Sequence, residues 1–260
     1  MPPITSRTSV PPGKHVYFLS DLHLGAHSFA DPKKAEHNVV EFLDSISSDA
    51  SEIYFLGDVL DYWFEYRYVV PRGHVRFFGK LAQLTDAGVK ITWIIGNHDI
   101  WIFDYLPEEL GVEVADGSII RKIGNRMFFL SHGDGVGKTP MSFQAMRNLF
   151  RNRICQKLYS AIHPRWTIPF ALGWSRKSRR QGMELNKCIT VEAIKKLQEF
   201  AAADHSAHPE IDFYIFGHVH AQSRKMIDRA EVITLGGWVD VFDYLVFDGD
   251  NIRSCIWKGA

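Results

Sequence analysis

The chain has 260 residues, 46% of them apolar, and its 30 basic residues are balanced by 30 acidic ones. That length and composition suffice for one large buried core or two small ones, and the balance excludes a protein charged throughout for polyanion binding, although it can hide a local imbalance. Three widely spaced cysteines, Cys155, Cys188 and Cys255, form no C-x-x-C pair, which argues against a disulfide framework or a thiolate metal site and fits a reducing compartment.

Residues 1–14, MPPITSRTSVPPGK, are rich in Pro, Ser and Thr and have no apolar stretch. They predict a flexible N-terminal tail and no signal peptide, so an intracellular protein is expected. No segment approaches the ~18 consecutive apolar residues of a membrane span, so any membrane contact is expected to be peripheral. HVYFLS, EIYFLG, KITWIIG, RMFFLS and IDFYIFG then read as buried strands. Helical patterns at 32–47 and 73–88 lie between the early strands and suggest β-α-β units. Near the end, EVITLGG, DYLVFDG and IRSCIW follow one another with only Gly and Asp turns between them, which predicts antiparallel pairing. The sum is an α/β chain with mixed sheets.

The early strands each end in polar residues. HVYFLS is followed by Asp21-Leu22-His23, EIYFLG by Asp58, KITWIIG by Asn97-His98-Asp99, RMFFLS by His132-Gly133-Asp134 and IDFYIFG by His218-Val219-His220. An isolated H-x-H reads more simply as a polar strand end, but the carboxyl ends of strands in an α/β sheet converge on one crevice. Asp21, His23, Asp58, Asn97, His132, His218 and His220 supply seven oxygen and nitrogen donors with no cysteine among them. This set suits Mn, Fe or Zn. It is too large for one ion and fits two ions about 3.5 to 4 Å apart sharing a carboxylate.

Read in order, SDLHLG, GDVLDYW, GNHD, SHGD and GHVH resemble the motifs of the calcineurin-like metallophosphoesterases over residues 20 to 220. The resemblance implies a four-layer αββα sandwich of two mixed β-sheets with a helical lid insertion. It also implies that Asp21, His23, Asp58 and His220 hold one metal and Asp58, Asn97, His132 and His218 the other, with Asp58 bridging. Asn97 and His98 would be catalytic, His98 assisting charge or leaving-group chemistry with Asp99 or a main-chain carbonyl as its partner. Two cations would lower the pKa of a shared water and neutralise phosphoryl oxygens. GDGVGKT at 133–139 is similar to a phosphate-binding loop, but that pattern requires glycine where His132 stands. Gly133, Gly135 and Gly137 are instead expected to let the backbone turn beside the metals.

The hidden charge imbalance lies downstream. Residues 135–183 contain no Asp or Glu and ten basic residues, among them Arg147, Arg151, Arg153, Lys157 and the cluster Arg176 to Arg180. Phe143, Met146, Leu149, Phe150, Ile154 and Leu158 recur at helical spacing between them, Trp166, Ile168, Phe170, Leu172 and Trp174 follow, and a further helical pattern spans 183–200. A solvated helical pair, a single-strand nucleic-acid groove and a cap for a lipid substrate at a membrane surface all fit such an insert. The cap is the preferred reading, with a metallophosphoesterase domain over 15–260 and the lid at about 139–204.

A closer resemblance supports it. GDVLDYW, the helical insert between SHGD and GHVH, and LGGWVDVFDYLVFDG are similar to the family of UDP-2,3-diacylglucosamine pyrophosphatases of lipid A biosynthesis. That resemblance implies hydrolysis to 2,3-diacylglucosamine 1-phosphate (lipid X) and UMP, manganese as the usual metal, and peripheral attachment to the cytoplasmic face of the inner membrane. Lys177, Ser178 and Arg179 are expected to bind phosphate and sugar by charge-assisted hydrogen bonds, together with Asn97 and His218. The expected partners are a nucleotide-sugar glycolipid and the inner-membrane surface, with no nucleic acid and no obligate protein partner. The alternatives are another calcineurin-like phosphodiesterase acting on nucleic acid or soluble nucleotides, and a scaffold that kept the fold without metals. Trp63 and Trp174 read equally well as core residues.

Overall fold

The computed structural model describes residues 4–137, 139–173, 186–239 and 241–259. Two six-stranded mixed sheets face each other. The first runs β12 (Ile252–Ile256), β11 (Asp243–Phe247), β2 (His15–Leu19), β3 (Ala50–Phe55), β4 (Lys90–Ile94), β5 (Glu113–Ala115). The second runs β1 (Ile4–Thr8), β6 (Ile119–Ile123), β7 (Arg126–Ser131), β8 (Phe213–Phe216), β10 (Ala230–Thr234), β9 (Ser223–Ile227).

Strand alternation explains why the central strands read as unbroken apolar runs. On β2, Val16 and Phe18 enter the core between the sheets with Phe128, Leu130 and Ile215, while Tyr17 and Leu19 face outward. Both faces are buried, so both sets of alternate residues are apolar. Helices α1 (Pro32–Ile46), α2 (Val75–Asp86) and α3 (Tyr105–Leu110) cover the outer face of the first sheet, with Phe42, Phe77 and Leu106 packed beside Phe55. Asp31 caps α1 by accepting the main-chain N–H groups of Lys33 and Lys34, and Pro32 follows it where its missing N–H costs nothing.

Among the described residues, four helical segments follow β7. These are α4 (Met141–Arg151), α5 (Arg153–Ser160), α6 (residues 164–173) and α7 (Asn186–Ala207). Asn152 separates the first two: its backbone is extended and its side chain accepts from Ile154 N and Cys155 N, capping α5. No residue of α4 or α5 is fully buried. On α7, by contrast, Leu197 and Ala201 pack on Phe129 and Phe216. That part of the expected lid is therefore the fourth layer of the αββα sandwich.

Three further expectations are corrected. Residues 4–8, expected in the flexible tail, form β1 and pair parallel with β6 at the sheet edge. β10 does not pair with β11: it lies in the other sheet, parallel to β8 and antiparallel to β9, and only β11 and β12 pair as expected. The crossing comes at Gly236-Gly237, where Gly237 has φ of +82°, a conformation L residues rarely adopt. Among the glycines of the 133–137 loop, Gly133 and Gly137 have positive φ and Gly135 does not.

Candidate metal centre and the cavity beside it

All seven expected ligand residues leave the carboxyl ends of β2, β3, β4, β7 and β8 and meet at one edge of the two sheets. The backbone there is strained. Among the described residues, seven non-glycine residues have positive φ, and five of them are Asp21, His23, Asp58, His218 and His220. Such conformations cost about 1–3 kcal/mol each and persist where the surroundings over-determine them, which is a mark of functional sites. Close approach also requires glycine: a Cβ at Gly96 would collide with the Asp58 carboxylate, and one at Gly217 with the Ser20 hydroxyl.

Hydrogen bonds aim the donors. Asp58 Oδ1 accepts from His98 N at 2.8 Å, which turns Oδ2 inward to lie 3.4 Å from His132 Nε2 and 3.8 Å from His23 Nε2. Asp21 Oδ2 accepts from His218 N at 2.9 Å, which turns Oδ1 toward His220 Nε2 at 3.2 Å and His23 Nε2 at 3.8 Å. His132 Nδ1 donates to the Leu56 carbonyl at 2.8 Å, which turns its Nε2 toward Asn97 Oδ1 at 3.2 Å. This is the usual way a protein fixes the tautomer of a ligating imidazole.

The resulting clusters, Asp21–His23–His220 and Asp58–His132–His218, test well as cation sites. Asp21 Oδ1 is buried without a hydrogen-bond partner, and the Nε2 atoms of His23 and His220 face each other at 3.1 Å. An unpartnered carboxylate oxygen and two imidazole nitrogens aimed at one point, with Asp21 and His23 buried, form a donor set that a divalent cation would satisfy. The local potential favours positive charge. Burial opposes ionisation of Asp58, but the adjacent His132 and His98 hold its carboxyl well below the usual range. Burial likewise opposes charge on His132 and His220, yet Asp58 raises the first and Asp21 the second above the ordinary imidazole value. His218, buried beside His132, is pushed down to about 4.

His98 is not among these clusters' ligands; with His23 and Asp61 it forms a third group of donors close enough together to hold an ion. Its Nδ1 lies 3.1 Å from the Asp61 carbonyl, which only accepts, so Nδ1 carries the proton and Nε2 faces the site, 4.0 Å from Asp58 Oδ2. Of its two expected partners the main-chain carbonyl is the one observed. Asp99 is occupied elsewhere: its carboxylate accepts Val59 N, Gly96 N and the Trp93 indole. Burial and the negative Asp58 raise it to about 6.

Sequence reasoning missed Asp61. Its carboxylate lies 3.6 Å from His23 Nδ1 and 3.5 Å from His98 Nδ1, behind both rings. The signal was present in GDVLDYW, which places a second carboxylate, Asp61, three residues beyond Asp58. Trp63 is a fully buried core residue, while Trp174 and the expected substrate contacts Lys177, Ser178 and Arg179 lie outside the described residues.

A cavity of about 760 Å³ opens from the metal centre. Asn97, His98 and His218 line its polar end, and Phe143, Met146, Leu149, Phe150 and Phe170 of the helical insert line the rest. Several contacts fasten the insert to the body, among them Arg151 on Asp116 and a cluster around Trp101. Trp101 Nε1 donates to the Phe150 carbonyl at 2.9 Å, and its ring stacks on Tyr159. The Tyr62 and Tyr159 hydroxyls are 3.0 Å apart, and Tyr159 donates onward to the Thr167 carbonyl.

Two facing mixed sheets with paired Asp and His clusters at their strand ends define a metal-dependent phosphoester hydrolase. Residues 14–222 match the calcineurin-like phosphoesterase family, and the chain belongs to it. Its similarity to individual relatives extends further. The UDP-2,3-diacylglucosamine hydrolase of Porphyromonas gingivalis is 43% identical over 249 residues, covering 91% of this chain and 95% of the relative. The proteins of the same name from Haemophilus ducreyi and Neisseria meningitidis serogroup B are 26% and 25% identical, covering 85% and 92% of this chain and 91% and 96% of their own lengths.

Proposed function

We propose that this chain hydrolyses the pyrophosphate of UDP-2,3-diacylglucosamine to 2,3-diacylglucosamine 1-phosphate and UMP, using two divalent ions, manganese foremost. The carrying observation is the cavity that joins Asn97, His98 and His218 to the apolar walls of α4 and α6. A substrate with a diphosphate at one end and acyl chains at the other matches that polarity. A soluble nucleotide would leave the apolar part without an occupant. The relatives named for this substrate support the same reading.

Asp21, His23, Asp58 and His220 would hold one ion, and Asp58, Asn97, His132 and His218 the other. When bound, the ions supply a water of lowered pKa and neutralise phosphoryl charge. Asn97 turns its amide oxygen toward His132, which leaves its NH₂ to donate to a phosphoryl oxygen. His98, held through Nδ1 by the Asp61 carbonyl, would as the imidazolium donate its Nε2 proton to the departing oxygen, while the attacking water gives up a proton as its oxygen bonds to phosphorus. In the reaction the oxygen of water bonds to the uridylyl phosphorus, the bond from that phosphorus to the bridging oxygen breaks, and this oxygen leaves with the sugar phosphate. Lys177, Ser178 and Arg179 are kept as phosphate and sugar contacts.

No helix among the described residues is long and apolar enough to cross a membrane. Exposed Leu149, Trp166 and Phe170 beside basic side chains support peripheral attachment of the insert to the cytoplasmic face of the inner membrane. The test is a metal-supplemented assay on UDP-2,3-diacylglucosamine with simple nucleotides and single-stranded DNA as controls. Turnover should also track chain length. Each buried methylene contributes ~0.8 kcal/mol, so substrates two carbons shorter should lose kcat/KM on the order of 15-fold. Hydrolysis of DNA in preference to the glycolipid would overturn the reading.

A further inference from the structure

Helix α5 has three faces. Cys155 and Tyr159 face the substrate cavity. Arg153, Lys157 and Ser160, on the opposite side at helical spacing, line a second cavity of about 440 Å³. Ile154 and Leu158, on the remaining side, are 68% and 66% exposed.

The second cavity has an apolar floor that includes Phe64, Ile102 and Phe103, and a rim of Arg67, Arg151, Arg153 and Lys157. Its two acidic residues are already engaged. Glu65 accepts the Trp63 indole and the main-chain N–H groups of Asp104 and Tyr105, and Asp116 is bound by Arg151 through Nε and Nη2. Arg67 lies over the Tyr68 ring. No carboxylate among the described residues pairs with Arg67, Arg153 or Lys157. Uncompensated cations around an apolar floor, next to a bare apolar stripe, call for an anion attached to a greasy body. A free phosphate would use neither floor nor stripe.

We propose that this second cavity takes the phosphate headgroup of an anionic bilayer phospholipid, with Ile154 and Leu158 in the acyl region, and so seats the insert on the membrane from which the substrate is drawn. The proposal rests on the lipid-substrate reading for its biological sense, but it is separately testable. The full-length protein would be floated with vesicles of phosphatidylcholine alone and of phosphatidylcholine mixed with phosphatidylglycerol. The Arg153→Gln/Lys157→Gln variant should lose roughly 30-fold in partition onto the anionic vesicles and keep its turnover of a small chromogenic phosphodiester. A Lys90→Gln/Arg229→Gln variant removes the same charge at exposed positions outside the insert and should float like the parent. Ile154→Ser/Leu158→Ser should weaken binding to both vesicle types.

Equal loss in the two charge variants would show diffuse attraction and overturn the cavity, as would unchanged flotation of the Arg153/Lys157 variant. If that variant lost affinity for single-stranded DNA and not for vesicles, the cavity would belong to a nucleic-acid surface. A parent protein that floats with neither vesicle would overturn this proposal. Detergent-solubilised UDP-2,3-diacylglucosamine still being turned over would then leave the substrate assignment standing.

Discussion

The fastening of the insert yields the sharpest prediction. Tyr159 has one hydroxyl hydrogen, and the Thr167 carbonyl at 3.1 Å accepts it. Tyr62 must then be the donor in the 3.0 Å contact between the two hydroxyls. Tyr159→Phe keeps the ring stacked on Trp101 while leaving the Tyr62 hydroxyl and the Thr167 carbonyl without this partner. Two lost hydrogen bonds at ~1 kcal/mol each set a floor of about 2 kcal/mol, and orphaned groups that stay dry raise it to about 4. The cost falls on docking of the insert, because α4 and α5 contribute no fully buried residue to the core. Steady-state kinetics on UDP-2,3-diacylglucosamine should therefore show KM raised by a factor on the order of 30 or more, with Tm changed little. A small chromogenic phosphodiester needs only the metal centre and should be turned over within about twofold of the parent. Equal loss on both substrates, or no loss on either, refutes the assignment of these hydroxyls to lid docking.

Three further outcomes are expected. Asp58→Ala removes the carboxylate that faces both clusters; hydrolysis should fall to background with the far-ultraviolet circular dichroism retained, and near-normal turnover would refute a two-ion centre. His98→Gln should lower kcat at least 100-fold, the lower end of general acid catalysis, while metal content by atomic emission stays at the parent level; parallel loss of metal would make His98 a structural residue. Metal binding should release protons near neutral pH, because His132 and His220 are held above the ordinary imidazole range and must lose a proton to ligate. Both protons are bound below their raised pKa values, so apparent affinity falls as pH drops through them and plateaus above; calorimetry in buffers of differing ionisation enthalpy reads the released protons, and a buffer-independent heat would contradict this.

How much of this was legible in the sequence follows from where each strand lies. β2, β3, β4, β7 and β8 are central, and burial on both faces makes them apolar runs that periodicity detects. β1 and β9 are sheet edges. Of β9, Arg224, Lys225 and Met226 are exposed, and edge strands carry such residues to discourage further pairing, so SRKMI gave no strand signal. β5 has three residues, too few for a pattern. The pairing of β10 with β8 was hidden for another reason: nearness in sequence favours a hairpin with β11, and only the burial of Val232 and Ile233 against opposite cores decides otherwise.

The same logic divides the site. Each of the seven expected ligand residues is positioned by the strand immediately before it, so a local reading could place all of them at one edge of the sheets. Asp61 acts through two rings that arrive from β2 and β4, and the Tyr62–Tyr159–Thr167 chain joins three segments through single hydroxyl and carbonyl groups. Nothing in the spacing of one segment encodes such a meeting. The composition behind the insert's proposed function was nonetheless visible, because its excess of cations and its apolar residues are local properties. What the fold adds is their separation around α5 into a cavity-facing side, a cationic side and a bare apolar side, and that separation is what the proposed seat on a bilayer requires.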